Sequence, residues 1–133
     1  MSSRDSLKIK AVFEQEAVIV GYTQPRRSRV YFGSLALAVR AGGKWKFVGH
    51  VGIGFDTPAL RDLYRKLTPL KSEKPFAEKT KYDSTTTWVK PKYVAEVKFT
   101  EWTADNEMRH PVYLGLREDK KPEEVTMEKP KHV

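Results

Sequence analysis

Arg117, Asp119 and Lys120 stand close together in Arg109-His110-Pro111-Val112-Tyr113-Leu114-Gly115-Leu116-Arg117-Glu118-Asp119-Lys120, just after a strand-like run over 113–116. A guanidinium offers phosphate oxygens a planar fork and an ammonium offers them a point charge, so the two cations are the right types to hold a polyphosphate. Asp119 between them would orient either cation, or would turn the cluster into a self-satisfied surface network. Charge runs usually face solvent, and the residue types alone leave both meanings open.

Other cations fall into groups. Lys8 and Lys10 flank Ile9, an alternation that puts both ammonium groups on one strand face, roughly 7 Å apart. That spacing suits neighbouring phosphates, although strand lysines also guard sheet edges. Arg26, Arg27 and Arg29 follow Pro25 in a loop and would make charge-assisted contacts to a nucleic-acid backbone. Lys44 and Lys46 surround Trp45, which suits either a core or an edge position.

Autonomous catalysis finds little support. His50, His110 and His132 lie far apart and none has metal-ligand spacing; no glycine-rich phosphate loop, nucleophile elbow or acid pair is present. With no cysteine, disulfides and thiolate zinc sites are excluded. No run reaches the roughly 20 apolar residues that span a membrane, which leads to the expectation of a cytoplasmic, nucleoid-associated protein without membrane contact. The formal charge of +8 sits entirely before residue 117, because the cations and anions beyond it balance. A basic body of this kind points to a polyanion, with nucleic acid the first candidate.

The elements that must position these residues are mostly strands. The β-branched run Ala17-Val18-Ile19-Val20-Gly21-Tyr22-Thr23 reads as one, and apolar runs on either side of Gly42-Gly43 make a hairpin. Gly52-Ile53-Gly54 reads as a tight passage from strand to helix. Thr57-Pro58 reads as an N-cap followed by proline at the first helical position. Leu60, Leu63, Tyr64 and Leu67 then share one helix face, and Pro69 ends the helix. The polar stretch 71–92 is expected to be a long loop, and 93–102 a strand with Ala95, Val97 and Phe99 on one face and Glu96, Lys98, Thr100 and Trp102 on the other. This order predicts a mainly β fold, a small Greek-key OB-fold barrel with one helix between strands. The expected division is a disordered or non-native start at 1–6, the barrel at 7–121 and a flexible tail at 122–133.

Lys8-Ile9-Lys10 with Val18-Ile19-Val20-Gly21-Tyr22-Thr23 resembles nucleotidyltransferase motif V and the strand after it in bacterial ATP-dependent DNA ligases. The segments RVYFGSLAL (29–37), VGHVGIGF (48–55) and VAEVKFTEWT (94–103) fit the same family in order, and Arg117-Glu118-Asp119-Lys120 resembles the RxDK ending of motif VI. The resemblance covers roughly 6–125 and is nearest to the ligase domains of the DNA ligase D group of non-homologous end joining. Two departures stand out: Ser6 and Leu7 occupy a position where relatives often carry tryptophan, and loop 24–29 lacks a glycine common in relatives.

The resemblance implies the C-terminal lobe of a two-lobe ligase. The KxDG lysine that takes AMP would lie in an upstream nucleotidyltransferase lobe that this chain lacks, leaving the domain inactive alone. Lys8, Lys10, Arg117 and Lys120 would contact nucleotide phosphates; Arg117 and Lys120 would clamp the departing pyrophosphate, with Asp119, the third catalytic residue, positioning one of them. Arg26, Arg27, Arg29, Lys44 and Lys46 would meet nicked duplex DNA. ATP and Mg2+ would serve the whole ligase, with no metal or nucleotide expected on this monomeric domain by itself. One rival reading is a free-standing OB module that stacks single-stranded nucleic acid on exposed aromatics, with Trp102 and Tyr113 as the residues that decide it. A third is a docking domain for an end-joining partner such as Ku, supported only by the mixed-charge tail.

Overall fold

The computed structural model describes residues 13–25, 31–73 and 86–126. Strand β1 (Phe13–Thr23) is the spine, because both of its edges are paired. On one edge it meets β2 (Leu35–Ala41), which runs through the Gly42-Gly43 turn into β3 (Lys44–Val51). Both turn glycines have positive φ, 60° and 81°, as a two-residue hairpin that matches strand twist requires. The expected hairpin is therefore present. β1 itself begins at Phe13, four residues ahead of the expected apolar run, so Glu14 and Glu16 belong to it.

Helix α1 (Thr57–Leu67) follows, with Leu60, Leu63 and Leu67 buried in the core. Its cap is one residue earlier than expected. Asp56, not Thr57, has extended backbone, and its carboxylate accepts from the Ala59 N–H at 2.9 Å. Both residue types cap well, and only the backbone angle distinguishes them.

Of the stretch expected as a loop over 71–92, residues 74–85 lie outside the described residues, and a short strand stands on either side of them. β4 (Lys71–Ser72) pairs with β5 (Thr86–Val89), which pairs in turn with the far half of β1. Thr86 and Thr87 are β-branched, Trp88 is large and Val89 is fully buried, so this short run suits a half-covered sheet face. The strand expected over 93–102 is split at Thr100. β6 (Val94–Phe99) pairs with β1, whereas β7 (Glu101–Trp102) turns away to pair with β8 (Met108–Arg109). As expected, Val97 and Phe99 are buried and Lys98 is exposed.

β9 (Val112–Leu116) pairs with β6, and the Tyr113 N–H donates to the Ile53 carbonyl at 2.9 Å, linking the last strand to the end of β3. The path β1–β2–β3, then β9–β6–β1, closes an antiparallel barrel with one helix between its third and later strands. This is an OB-fold.

The chain after Pro122 does not fray at once. Val125 is 1% exposed, its carbonyl accepts from the Arg40 N–H at 2.7 Å, and the Gln15 amide donates to the Thr126 carbonyl at 2.8 Å. One buried valine and two backbone carbonyls hold the tail to the barrel as far as Thr126.

Candidate functional site

β9 delivers Arg117 to the outer face of the β1–β6 pair, where the Arg117 N–H donates to the Val94 carbonyl at 2.8 Å. The register places Glu16 directly opposite Glu96 across that pair. Like charges in this position are destabilising unless a cation sits between them, and Arg117 does so. Its Nη1 donates to Glu16 Oε2 and to Glu96 Oε1, both at 2.8 Å. Its Nε and Nη2 meet the two oxygens of Asp119 at 3.1 Å each, a bidentate fork. Four of the five guanidinium N–H donors are thereby engaged. Lys120 Nζ lies 3.3 Å from Glu16 Oε1, so Glu16 holds both cations, one on each oxygen.

The titrations follow from these contacts. Hydrogen bonds donated to Asp119 first and Glu96 second hold the Arg117 guanidinium charged above its ordinary range. The same Arg117 contact pulls the Asp119 carboxyl below its usual value. Glu14, one step along β1, is raised by a hydrogen bond with the neighbouring Glu96 carboxyl and by its charge. The rim is therefore a compact network of opposed charges, half-buried rather than freely exposed: the Arg117 and Glu16 side chains are 34% and 17% exposed. Of the two meanings open for the residue types, the internally satisfied network describes this arrangement.

A guanidinium and an ammonium are donor types that suit a polyphosphate, and here carboxylates engage both. Among the described residues, no group of His, Cys, Asp and Glu could hold a metal ion.

The other expected site residues are placed unevenly. Lys44 is exposed at the start of β3, and Lys46 is half-buried two residues on. Between them, Trp45 lies at the edge of the core with the Arg40 guanidinium 4.9 Å above its ring. Lys8, Lys10, Arg26, Arg27 and Arg29 lie outside the described residues. Glu16 and Glu96 were not singled out as functional from sequence. Glu96 alternates with apolar Ala95 and Val97 and Glu16 stands just before the apolar run from Ala17, but their meeting depends on the β1–β6 register.

The two aromatics that decide the single-strand reading both pack against other rings. Tyr113 is 8% exposed and stacks on Phe55 at 4.5 Å, and burial pushes its hydroxyl pKa up to about 12. Trp102 packs edge-on against Phe99 with its indole nitrogen buried. A groove of about 560 Å³ beside α1 is lined by Tyr22, Tyr31, Tyr64 and Lys71. Its tyrosines lean on one another, Tyr64 meeting Tyr22 at 5.7 Å and Tyr31 at 5.6 Å.

Residues 28–120 match the family described as the ATP dependent DNA ligase C terminal region. The multifunctional non-homologous end joining protein LigD of Pseudomonas aeruginosa is 36% identical over 134 residues, covering 96% of this chain and 16% of that protein. The ligase domain from M. tuberculosis LigD superimposes with a TM-score of 0.82 at 34% identity, covering 88% of this chain and 39% of that one. A mycobacterial DNA ligase D complexed with ATP and MES gives a TM-score of 0.77 at 35% identity, covering 87% and 38%. The chain thus spans less than a fifth of the full-length relative and about two-fifths of the solved ligase domains.

Proposed function

Since the chain belongs to the C-terminal region family of the ATP-dependent DNA ligases, we propose that it is the OB-fold lobe of an end-joining DNA ligase, supplying phosphate contacts for lysine adenylation and a surface for nicked duplex DNA. The observation that carries this reading is the side-by-side placement of Arg117 and Lys120 on one carboxylate at the end of β9. Two cations of different geometry, held adjacent, suit the β- and γ-phosphates of one nucleotide.

ATP, bound with Mg2+ by the whole enzyme, would supply the adenylyl group to a lysine of an upstream lobe. Arg117 and Lys120 would bind and orient the departing pyrophosphate and offset its developing charge, with Asp119 aligning the guanidinium fork. Lys8 and Lys10 would add phosphate contacts where the lobes meet. Arg26, Arg27, Arg29, Lys44 and Lys46 would contact the DNA backbone, which positions a duplex without reading its sequence.

The test uses the parent protein with its upstream lobe. Arg117→Ala should reduce self-adenylation by about a hundredfold, the scale of losing one charge-stabilising donor. Sealing of a nick that already carries AMP should fall much less. Equal losses in the two steps would remove the pyrophosphate role from Arg117.

A further inference from the structure

Three carboxylates, Glu16, Glu96 and Asp119, surround two cations, Arg117 and Lys120. Glu14 and Lys98 lie on the same two strands, opposite each other in register. A polyphosphate approaching this docked cluster meets no excess of positive charge, and most of the Arg117 donors are already taken. A guanidinium aligned by Asp119 through Nε and Nη2 cannot offer Nη1 to phosphate while that nitrogen bridges Glu16 and Glu96.

We propose that Glu16 and Glu96 are positioning residues forming an acid latch, which holds Arg117 and Lys120 in a resting arrangement that a polyphosphate must open. The inference rests on the reading of Arg117 and Lys120 as phosphate ligands and deepens it. Glu16 is the centre of the latch because each of its oxygens holds a different cation. Glu96 holds Arg117 alone among these two. Opening the latch moves the cations from carboxylate to phosphate oxygens and leaves Glu16 and Glu96 facing each other across β1 and β6. That uncompensated pair favours the return of the cations once the anion has left. The site would thus bind a polyphosphate briefly, as suits a leaving group that must depart.

The latch can be tested on the full 133-residue chain by calorimetric titration with inorganic tripolyphosphate at low ionic strength. Glu16→Gln keeps the side-chain shape and should tighten binding about fivefold, the upper range for one partly exposed ion pair. Glu96→Gln should give a smaller gain, because it frees only Arg117. Both gains should vanish when Arg117 and Lys120 are both alanine. Unchanged or weaker binding by Glu16→Gln with a native melting temperature would overturn the latch, and so would a gain that persists without the two cations. If Glu16→Gln does not fold, Glu96→Gln carries the same test. Should the alanine changes at Arg117 and Lys120 leave tripolyphosphate binding by the native chain untouched, the phosphate reading fails first. If they abolish it and no gain follows glutamate removal, that reading stands and only the latch is lost.

Discussion

At the scale of single residues, the Arg117 network ties charge state to folding, and the signs of its two displaced carboxyls differ. Asp119 is held below its ordinary value of 3.8, chiefly by the Arg117 hydrogen bond. Its contribution is therefore fully present above 3.8 and is lost as pH falls through the lowered folded value. Glu14 is raised above its ordinary 4.5 by Glu96, so its contribution is present below 4.5 and lost as pH rises through the raised value. Urea unfolding of the native chain and of Asp119→Asn should differ most near neutral pH and converge as pH drops below 3.8. A difference independent of pH would mean that Asp119 acts through shape and not through charge. Arg117 and Lys120 were legible as candidate phosphate ligands, and Asp119 as the residue that orients them, because their chemistry is local. The carboxylates that engage them were not, since Glu16 lies 101 residues from Arg117 and Glu96 lies 21 away.

At the scale of elements, the passage from β3 to α1 shows where backbone geometry constrains the barrel. Gly54 has φ +101°, and a Cβ there would press into the Tyr113 backbone and the Val112 side chain. The same close approach allows the Tyr113 N–H to reach Ile53 and join the first and last parts of the barrel. Gly54→Ala should therefore cost about 3 kcal/mol, combining left-handed strain with a backbone clash. Gly42 also has positive φ, 60°, yet nothing lies within 4 Å of a Cβ added there. Gly42→Asn, which tolerates that conformation, should stay within about 0.5 kcal/mol of native. Denaturant midpoints of the two variants would check the contrast, and equal costs would refute it. The glycine passage and the hairpin were readable in advance because turn chemistry is local. Strand β5 was not: a four-residue strand surrounded by polar sequence is defined by the β1 edge it joins.

At the scale of the whole molecule, the net charge of +8 belongs to the body of the domain, because the residues from 117 onward are balanced. A fluorescent duplex should bind weakly at low salt, with affinity falling steeply as salt rises. Replacing Lys44 and Lys46 by alanine should lower the slope of log affinity against log salt by about 1 to 2, one per lost phosphate contact. No binding at low salt would defeat the DNA surface, and an unchanged slope would place it away from the β2–β3 hairpin. What the sequence by itself determined was the inventory and order of parts: strand, hairpin, single helix, later strands, and a final cation pair. Period, turn residues and charge act over a few positions and can be read there. Tertiary structure alone decided where strands begin and stop, that Val125 is buried, and that Glu16 faces Glu96 beneath Arg117. Side chains alternate with a period of two, so a slip of one residue in either strand would turn that strand's glutamate inward and end the pairing. Pairing across the barrel, which local sequence does not encode, converts a charged chain end into a closed ionic network.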